Sequence, residues 1–283
     1  MRAKPGEGLM TDDRNHKVID ISHWQTIPSS LIPAKESGVL GVIHKATEGA
    51  GGYDDKYPAR RFLAREAGLL FGAYHFLRPG SMADQARIFV EYCDPQPWTL
   101  LAADHEDERV SLDDLVEWLA AVETLIGIRP VIYSGHVLKE QLGGQRHPVL
   151  NEQNFPLWLA QYSSEPELPA GWSAAWLWQW TDRGEVPGID PPTDLNHYAG
   201  DDRDLIRSWV ADAINWTPPG PAPEPPTAEG QLTPIGFQQA LAAGGYYGGE
   251  IDGLSGPATR AAVDDWFADG EPLDLVTGEK EDG

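Results

Sequence analysis

Two carboxylates one residue apart, Asp104 and Glu106, close the apolar run Leu100-Leu101-Ala102-Ala103. On a strand, alternate side chains share a face, so both acids would project the same way with Cα atoms about 6.6 Å apart. Acids crowded on one face drive their pKa values apart, which leaves one protonated donor beside one ionised stabiliser near neutral pH. Cleavage of a glycosidic bond requires that combination. An isolated D-x-E is more often the solvated end of a strand, so the assignment has to rest on the rest of the chain. Asp20, flanked by apolar neighbours in Val18-Ile19-Asp20-Ile21-Ser22, is either an acid at the mouth of a site or a satisfied polar group in the core.

The elements that would position these acids can be read in order. Val18–Ser22 and Leu40–Ala46 are strands, and Thr47-Glu48-Gly49 closes the second. A helix runs from Lys56 to Ala67, with Gly68 as its stop. Leu69–Phe76 is a third strand, and Asp84–Cys93 a helix whose cysteine is expected to be a buried, inert thiol. After the strand bearing Asp104, Ser111-Leu112-Asp113-Asp114 resembles a capping box. Leu112, Leu115, Leu119, Val122 and Ile126 then recur at helical spacing and form one apolar stripe. Pro130–Tyr133, Pro156–Tyr162 and Ala174–Trp180 read as strands, and Asp202–Ile214 as a closing helix. Strands alternating with helices, followed by strands without helices between them, predict an α/β fold: an irregular TIM-like barrel, regular only in its first half. In such barrels the working groups sit at the carboxyl ends of the strands. Asp20, Tyr74, Asp104 and Glu106 all fall there.

Bulk composition limits the partners. A formal charge of −23 argues against nucleic acid, whose phosphates would be repelled. No apolar run reaches the roughly 18 residues of a membrane span, and no membrane insertion is expected. The single cysteine, Cys93, excludes a disulfide framework and a cysteine-based zinc site. The first sixteen residues carry charges and prolines but no apolar h-region, so they are expected to form a loose arm rather than a secretory signal. Eleven tryptophans are many. Most should be core, although a tryptophan face also suits a sugar ring.

Several segments, taken in order, resemble the family 25 glycoside hydrolases, the muramidase-type lysozymes. They are Val18-Ile19-Asp20-Ile21-Ser22-His23-Trp24-Gln25, Lys45-Ala46-Thr47-Glu48-Gly49, and Gly72-Ala73-Tyr74-His75-Phe76 with Arg78-Pro79. Asp104 and Glu106, Pro156–Tyr162, Trp178-Gln179 and Asp194-Leu195-Asn196 continue the series, which covers about residues 17 to 210. The resemblance implies cleavage of the β-1,4 bond between N-acetylmuramic acid and N-acetylglucosamine, with retention of configuration. By the family's pattern Glu106 is the proton donor. Asp104 steadies the charge developing on the sugar or orients its acetamido group, and Asp20 and Asp194 complete an acidic cleft. Tyr74, Trp158, Tyr162, Trp178 and Gln179 are the expected substrate contacts. For Tyr74 and Tyr162 a buried hydroxyl bonded to the scaffold is an equal alternative. Trp176, Trp178 and Trp180 alternate along one predicted strand, so their rings should share a face; Trp178 is taken as the sugar platform and the other two as packing. The departures from the family's pattern are His105 between the acids and two further acids, Asp107 and Glu108, directly after them.

The run Thr217-Pro218-Pro219-Gly220-Pro221-Ala222-Pro223-Glu224-Pro225-Pro226 is an extended, semi-rigid linker at about 3.1 Å per residue. The expected organisation is an arm over 1–16, the barrel over 17–215, the linker over 216–231, a small all-α module over 232–270 and an acidic tail over 271–283. The module resembles the helical peptidoglycan-binding domain through Gln238 and Leu241, Gly245-Tyr246-Tyr247-Gly248-Gly249, Asp252-Gly253, Gly256 and Thr259, and Ala262-Val263. Trp266-Phe267 replaces the usual closing aromatic-glutamine pair. Bacterial peptidoglycan is therefore the expected partner, for a monomer needing neither metal nor cofactor. The layout fits a phage or prophage endolysin made in the host cytoplasm and released by a holin.

Two rival readings remain. A zinc amidase would need His105 to join Asp104 and Glu106, but strand alternation turns it away from them. A wall-binding protein with a decayed barrel would be expected to have lost at least one of Asp20, Asp104, Glu106 and Asp194.

Overall fold

The computed structural model describes residues 17–27, 29–96, 98–210 and 234–249, with positions 251, 262 and 265 singly. Its strands are β1 (Val18–Ile21), β2 (Gly41–Glu48), β3 (Gly52–Tyr53), β4 (Leu70–Phe76), β5 (Leu100–Asp104), β6 (Val131–Ser134), β7 (Leu157–Ala160), β8 (Leu177–Gly184) and β9 (Thr193–His197). The described helices are α1 (Ile32–Glu36), α2 (Tyr57–Glu66), α3 (Met82–Cys93), α4 (Leu112–Ile126), α5 (His136–Leu142), α6 (Asp202–Val210) and α7 (Pro234–Ala243). The sheet runs β1-β9-β8-β7-β6-β5-β4-β2-β3, and pairing of β1 with β2 closes it into an eight-stranded barrel with β3 as a short appendage.

Pairings from β1 through β2, β4, β5, β6 and β7 to β8 are all parallel. Antiparallel β9 then joins β8 to β1. The irregular half is thus larger than the sequence pattern implied in one respect and smaller in another. Helix α5 separates β6 from β7, where no helix was expected, and β9 is a strand that the apolar pattern does not reveal.

Two apolar layers follow from strand alternation. Val18, Ile43, Leu100, Ala102, Val131, Tyr133, Trp158 and Leu177 fill the barrel interior, with Leu205 and Trp209 of α6 packed among them. Ile19, Val42, Ala46, Leu101, Ala103, Ile132, Leu157 and Leu159 face outward and meet the helices. Helix α6 plugs the amino-terminal end of the barrel: the Trp209 indole N–H donates to the Phe71 carbonyl at 3.3 Å. A Cβ at Gly41 would lie 2.8 Å from the Trp209 ring, so only glycine fits there. With that end sealed, the carboxyl ends of the strands form the open mouth.

The helices owe their ends to local chemistry. Ser111 and Asp114 complete a true capping box at the start of α4, and Gly127, at φ 69°, ends it. Such a cap stabilises a helix by about 1 kcal/mol. Leu115, Leu119 and Val122 are fully buried along the expected stripe, and Trp118 joins them. Helix α3 starts at Met82, two residues before Asp84, and Ser81 caps it, its hydroxyl accepting from the Asp84 N–H. Cys93 is fully buried, and burial pushes its thiol well above the ordinary range.

The expected arm, linker and acidic tail lie outside the described residues, as does about half of the expected wall-binding module. Of that module the structure describes α7 and the turn after it, where Gly245 takes φ 84° and the Gln238 amide donates to the Tyr247 hydroxyl at 3.3 Å.

Candidate active site

Four acids gather at the mouth. Asp20, the penultimate residue of β1, lies directly across the antiparallel pair from Asp194 of β9. Asp104 ends β5, in register with Phe76 of β4 and Tyr133 of β6. Strand β5 stops at Asp104, so Glu106 stands on the loop beyond it rather than on the strand itself. The in-out alternation nevertheless carries on: the His105 backbone N–H donates to the Tyr133 carbonyl at 2.9 Å. The His105 ring points away from the acids into the core and bonds the Val110 carbonyl at 2.9 Å. Glu106 then returns to the mouth and keeps an exposed face.

Asp20 is the best-held of the four. Gln179 Nε2 donates to both of its oxygens, at 3.0 and 2.9 Å, and Asn196 Nδ2 donates at 2.8 Å. The amides are in turn oriented from behind. Gln179 Oε1 accepts from the hydroxyls of Tyr133 at 2.9 Å and Tyr162 at 3.1 Å. Asn196 Oδ1 accepts from the Trp158 indole at 2.6 Å. Every partner offers a donor, so Asp20 is built to be the ionised member, while burial pushes it up to about 6. Asp194, desolvated and facing the Asp20 charge, is pushed up to about 8. It therefore carries the proton of the pair at neutral pH.

Asp104 is 3% exposed, and its Oδ1 has no hydrogen-bond partner in the protein. Burial, then the neighbouring Glu106 charge, raises it well above the usual carboxylate range, with the Lys45 ammonium opposing. Glu106 is raised too, by desolvation against the cleft wall, with His136 opposing. Both acids are thus disfavoured as anions, and Asp104, the more deeply buried, the more strongly.

The expected contact residues divide. Tyr162 presents a ring that is 57% exposed at the mouth. Tyr74 lies inside, its ring 6.4 Å from that of Trp158, and burial together with Asp104, Asp20 and Asp194 raises its phenol well above the usual value. Gln179 is 2% exposed and works as the bridge just described. Trp158, at 1% exposed, lies beneath the acids and supports Asn196 and Tyr133, so it offers no open face to a ligand. Trp178 is not brought to the cleft. It turns outward into the layer against the helices, and its indole donates to the Gln161 carbonyl at 2.7 Å. The expectation that Trp178 is a sugar platform is corrected accordingly. Trp176 precedes β8, so alternation does not bind it to the face of Trp178; it packs instead against Trp209 and Tyr198.

Sequence reasoning passed over Tyr133 and Asn196, although both occupy positions it had marked, a strand end and the D-x-N motif. The two extra acids after Glu106 are also explained. Asp107 is held well below the usual range by Arg109 and Arg78, and Glu108 is exposed, 3.9 Å from His136. Among the described residues no three His, Cys, Asp or Glu side chains converge so as to hold a metal ion, and no described helix is long and apolar enough to cross a membrane.

Comparison with known proteins points the same way as the geometry. The model for "Glycosyl hydrolases family 25" matches residues 19–189. The Escherichia coli K12 protein YegX is 35% identical over 213 residues, covering 71% of this chain and 75% of its own. Lysozyme M1 of Streptomyces globisporus is 27% identical over 201 residues, covering 64% of this chain and 67% of its own. Among solved structures, a bacterial lysozyme from Streptomyces coelicolor superposes with a TM-score of 0.61 at 26% identity, over 69% of this chain and 96% of that one.

Proposed function

From the premise that the chain belongs to glycosyl hydrolases family 25 and is a glycoside hydrolase of the muramidase type, we propose that it cleaves the β-1,4 bond between N-acetylmuramic acid and N-acetylglucosamine in bacterial peptidoglycan. Glu106 is the proton donor and Asp104 its partner; Asp20 and Asp194 form the opposite wall. The observation that carries this reading is the contrast between Glu106, open to the cleft, and Asp104, buried behind it with a raised pKa.

Binding a sugar chain covers Glu106 and removes its remaining water, which favours its neutral form. As the glycosidic bond breaks, positive charge grows at the anomeric carbon, and that charge favours ionised Asp104. Both effects favour a proton on Glu106 and a charge on Asp104, and the Glu106 proton passes to the leaving oxygen. Ionised Asp104 then steadies the sugar cation until a water adds to the anomeric carbon and gives its proton to Glu106, which restores the donor. The Asp20 carboxylate, fixed by Gln179 and Asn196, adds a negative field that needs no rearrangement during the reaction. Tyr162 supplies an exposed ring against which a sugar can stack. Mass spectrometry of purified peptidoglycan digested by the protein tests the bond assignment. New reducing ends on muramic acid are expected; reducing ends on glucosamine, or free stem peptides, would contradict it.

The motifs in 232–270 support a second wall contact, made effectively intramolecular by the linker. A cutting unit beside a wall-binding unit is the layout of an endolysin of phage or prophage origin, reaching the wall of its host after holin-mediated release. The full chain is expected to sediment with purified walls more tightly than a chain ending at residue 215. Equal retention would remove the tail from the account, and efficient export in cells lacking a holin would remove the lytic role.

A further inference from the structure

Glu106 sits between two anchored neighbours. On one side, His105 is tied to β6 by its backbone N–H and by its carbonyl, which accepts from Ser134 Oγ at 2.6 Å. On the other side, Asp107 is gripped by two guanidiniums. Arg78 donates to Oδ2 at 3.0 Å, and Arg109 donates to Oδ1 at 2.9 Å and to Oδ2 at 2.6 Å. The Arg109 backbone N–H adds a bond to Oδ1 at 3.1 Å.

Arg78 is not a loose surface arm. Its other edge meets Glu48 Oε1 at 2.8 and 2.6 Å, and Glu48 accepts from Lys45 at 2.5 Å. Its guanidinium lies 4.4 Å from the centre of the Phe76 ring. Its backbone is fixed as well, since Gln85 accepts from the Arg78 N–H at 3.1 Å and donates to the Arg78 carbonyl at 2.7 Å. Gln85 is held by His75 at 3.1 Å, and His75 by Thr47 at 2.6 Å, with the His75 ring stacked on Trp118. This chain of contacts connects the buried layer between α3, α4 and the barrel to the residue directly after the proton donor.

We propose that Asp107 is a positioning residue for Glu106, acting through Arg78 and Arg109 to set the direction in which the loop after β5 presents the donor. The proposal rests on the muramidase reading above. Asp107 touches no substrate in this account. It works because a carboxylate held on both oxygens leaves the adjoining backbone little freedom, and bidentate arginine contacts fix direction as well as distance. Misplacing a catalytic group by about 1 Å can reduce a rate on the order of 100-fold.

The test is steady-state hydrolysis of a soluble peptidoglycan tetrasaccharide by the full-length protein and its Asp107→Asn, Asp107→Glu and Arg78→Lys variants, with thermal unfolding measured alongside. Asp107→Asn is expected to lower kcat roughly 10- to 100-fold and to leave KM within about twofold, because ground-state binding is untouched. Asp107→Glu keeps the charge and should restore much of the loss. Arg78→Lys folds on the same scaffold but cannot span Glu48 and Asp107 together, so it should fall between wild type and Asp107→Asn even if the latter is poorly folded. Wild-type kcat in Asp107→Asn, kcat and KM worsening together with stability, or Arg78→Lys indistinguishable from wild type would each overturn the positioning role alone. A wild-type protein that releases no muramic acid reducing ends would overturn the muramidase reading, and this inference with it.

Discussion

Replacing Glu106 with Gln is expected to slow peptidoglycan hydrolysis by roughly 10²–10⁴-fold, the usual contribution of a positioned general acid. Glutamine preserves the shape and the anchored backbone on both sides, so substrate affinity and fold should survive. The unfolding midpoint should not drop, because the wild-type carboxyl is already disfavoured as an anion by its surroundings. Rates on purified walls, with binding measured by sedimentation, separate these effects. A variant that binds walls normally and still cleaves at the wild-type rate would move the donor role elsewhere in the cleft.

Asp104→Asn should have two effects of opposite sign. Activity is expected to fall roughly 10²–10³-fold, as when a group aimed at developing charge is removed. Stability at neutral pH is expected to rise. The Asp104 carboxyl is buried and its folded-state pKa lies well above that of an unfolded aspartate. Between those two values the folded chain binds more protons than the unfolded one, so stability is full at low pH and declines as pH climbs toward the folded value. Asparagine removes that decline. The variant and wild type should therefore unfold together below about pH 4, the range of an ordinary aspartate. Above it they should separate progressively, with a gain of roughly 2–4 °C in midpoint for each kcal/mol relieved. Thermal melts from pH 3 to 8 check this. A variant less stable than wild type at pH 7 would mean that the carboxylate has partners the structure does not assign. Activity and stability pulling in opposite directions at one residue is the usual signature of a site maintained for chemistry.

Much of the barrel was legible because its first strands are continuous apolar runs punctuated by glycine, as parallel strands buried on both faces must be. The acids could be found for a related reason: a charged residue at the end of such a run has nowhere to go but the mouth. Strand β9 was hidden because Thr193-Asp194-Leu195-Asn196-His197 contains a single aliphatic residue. Its polar residues serve the cleft, so the site itself erases the strand signal. Helix α5 begins after Gly135 without a capping side chain and spans seven residues, too short for a periodic stripe. The face of Trp178 was misjudged because β8 begins only at Leu177 and shifts register after Gln179, so the alternation assumed from residue 174 does not hold. Tyr133 could be marked as a strand end but not as a site residue, since Gln179, its partner, is 46 residues away. The loop after β5 carries the same lesson. Asp107 reads in sequence as one more acid in an acidic run, yet two arginines neutralise it, one of them arriving from the loop after β4.

The clamp on Asp107, the bridge through Gln179 and the buried Asp104 all converge on one claim, that Glu106 delivers the proton to the departing oxygen. A substrate whose leaving group needs no proton isolates that step. The measurement is the rate of Glu106→Gln relative to wild type on the natural glycan and on a glycan carrying an activated aryl leaving group at the scissile position. A large loss is expected on the natural glycan, shrinking to within about tenfold on the aryl substrate, where general acid assistance of roughly 10²–10⁴-fold is no longer required. An equal loss on both substrates would contradict that claim, and would mean that Glu106 acts on the sugar itself rather than on the leaving oxygen.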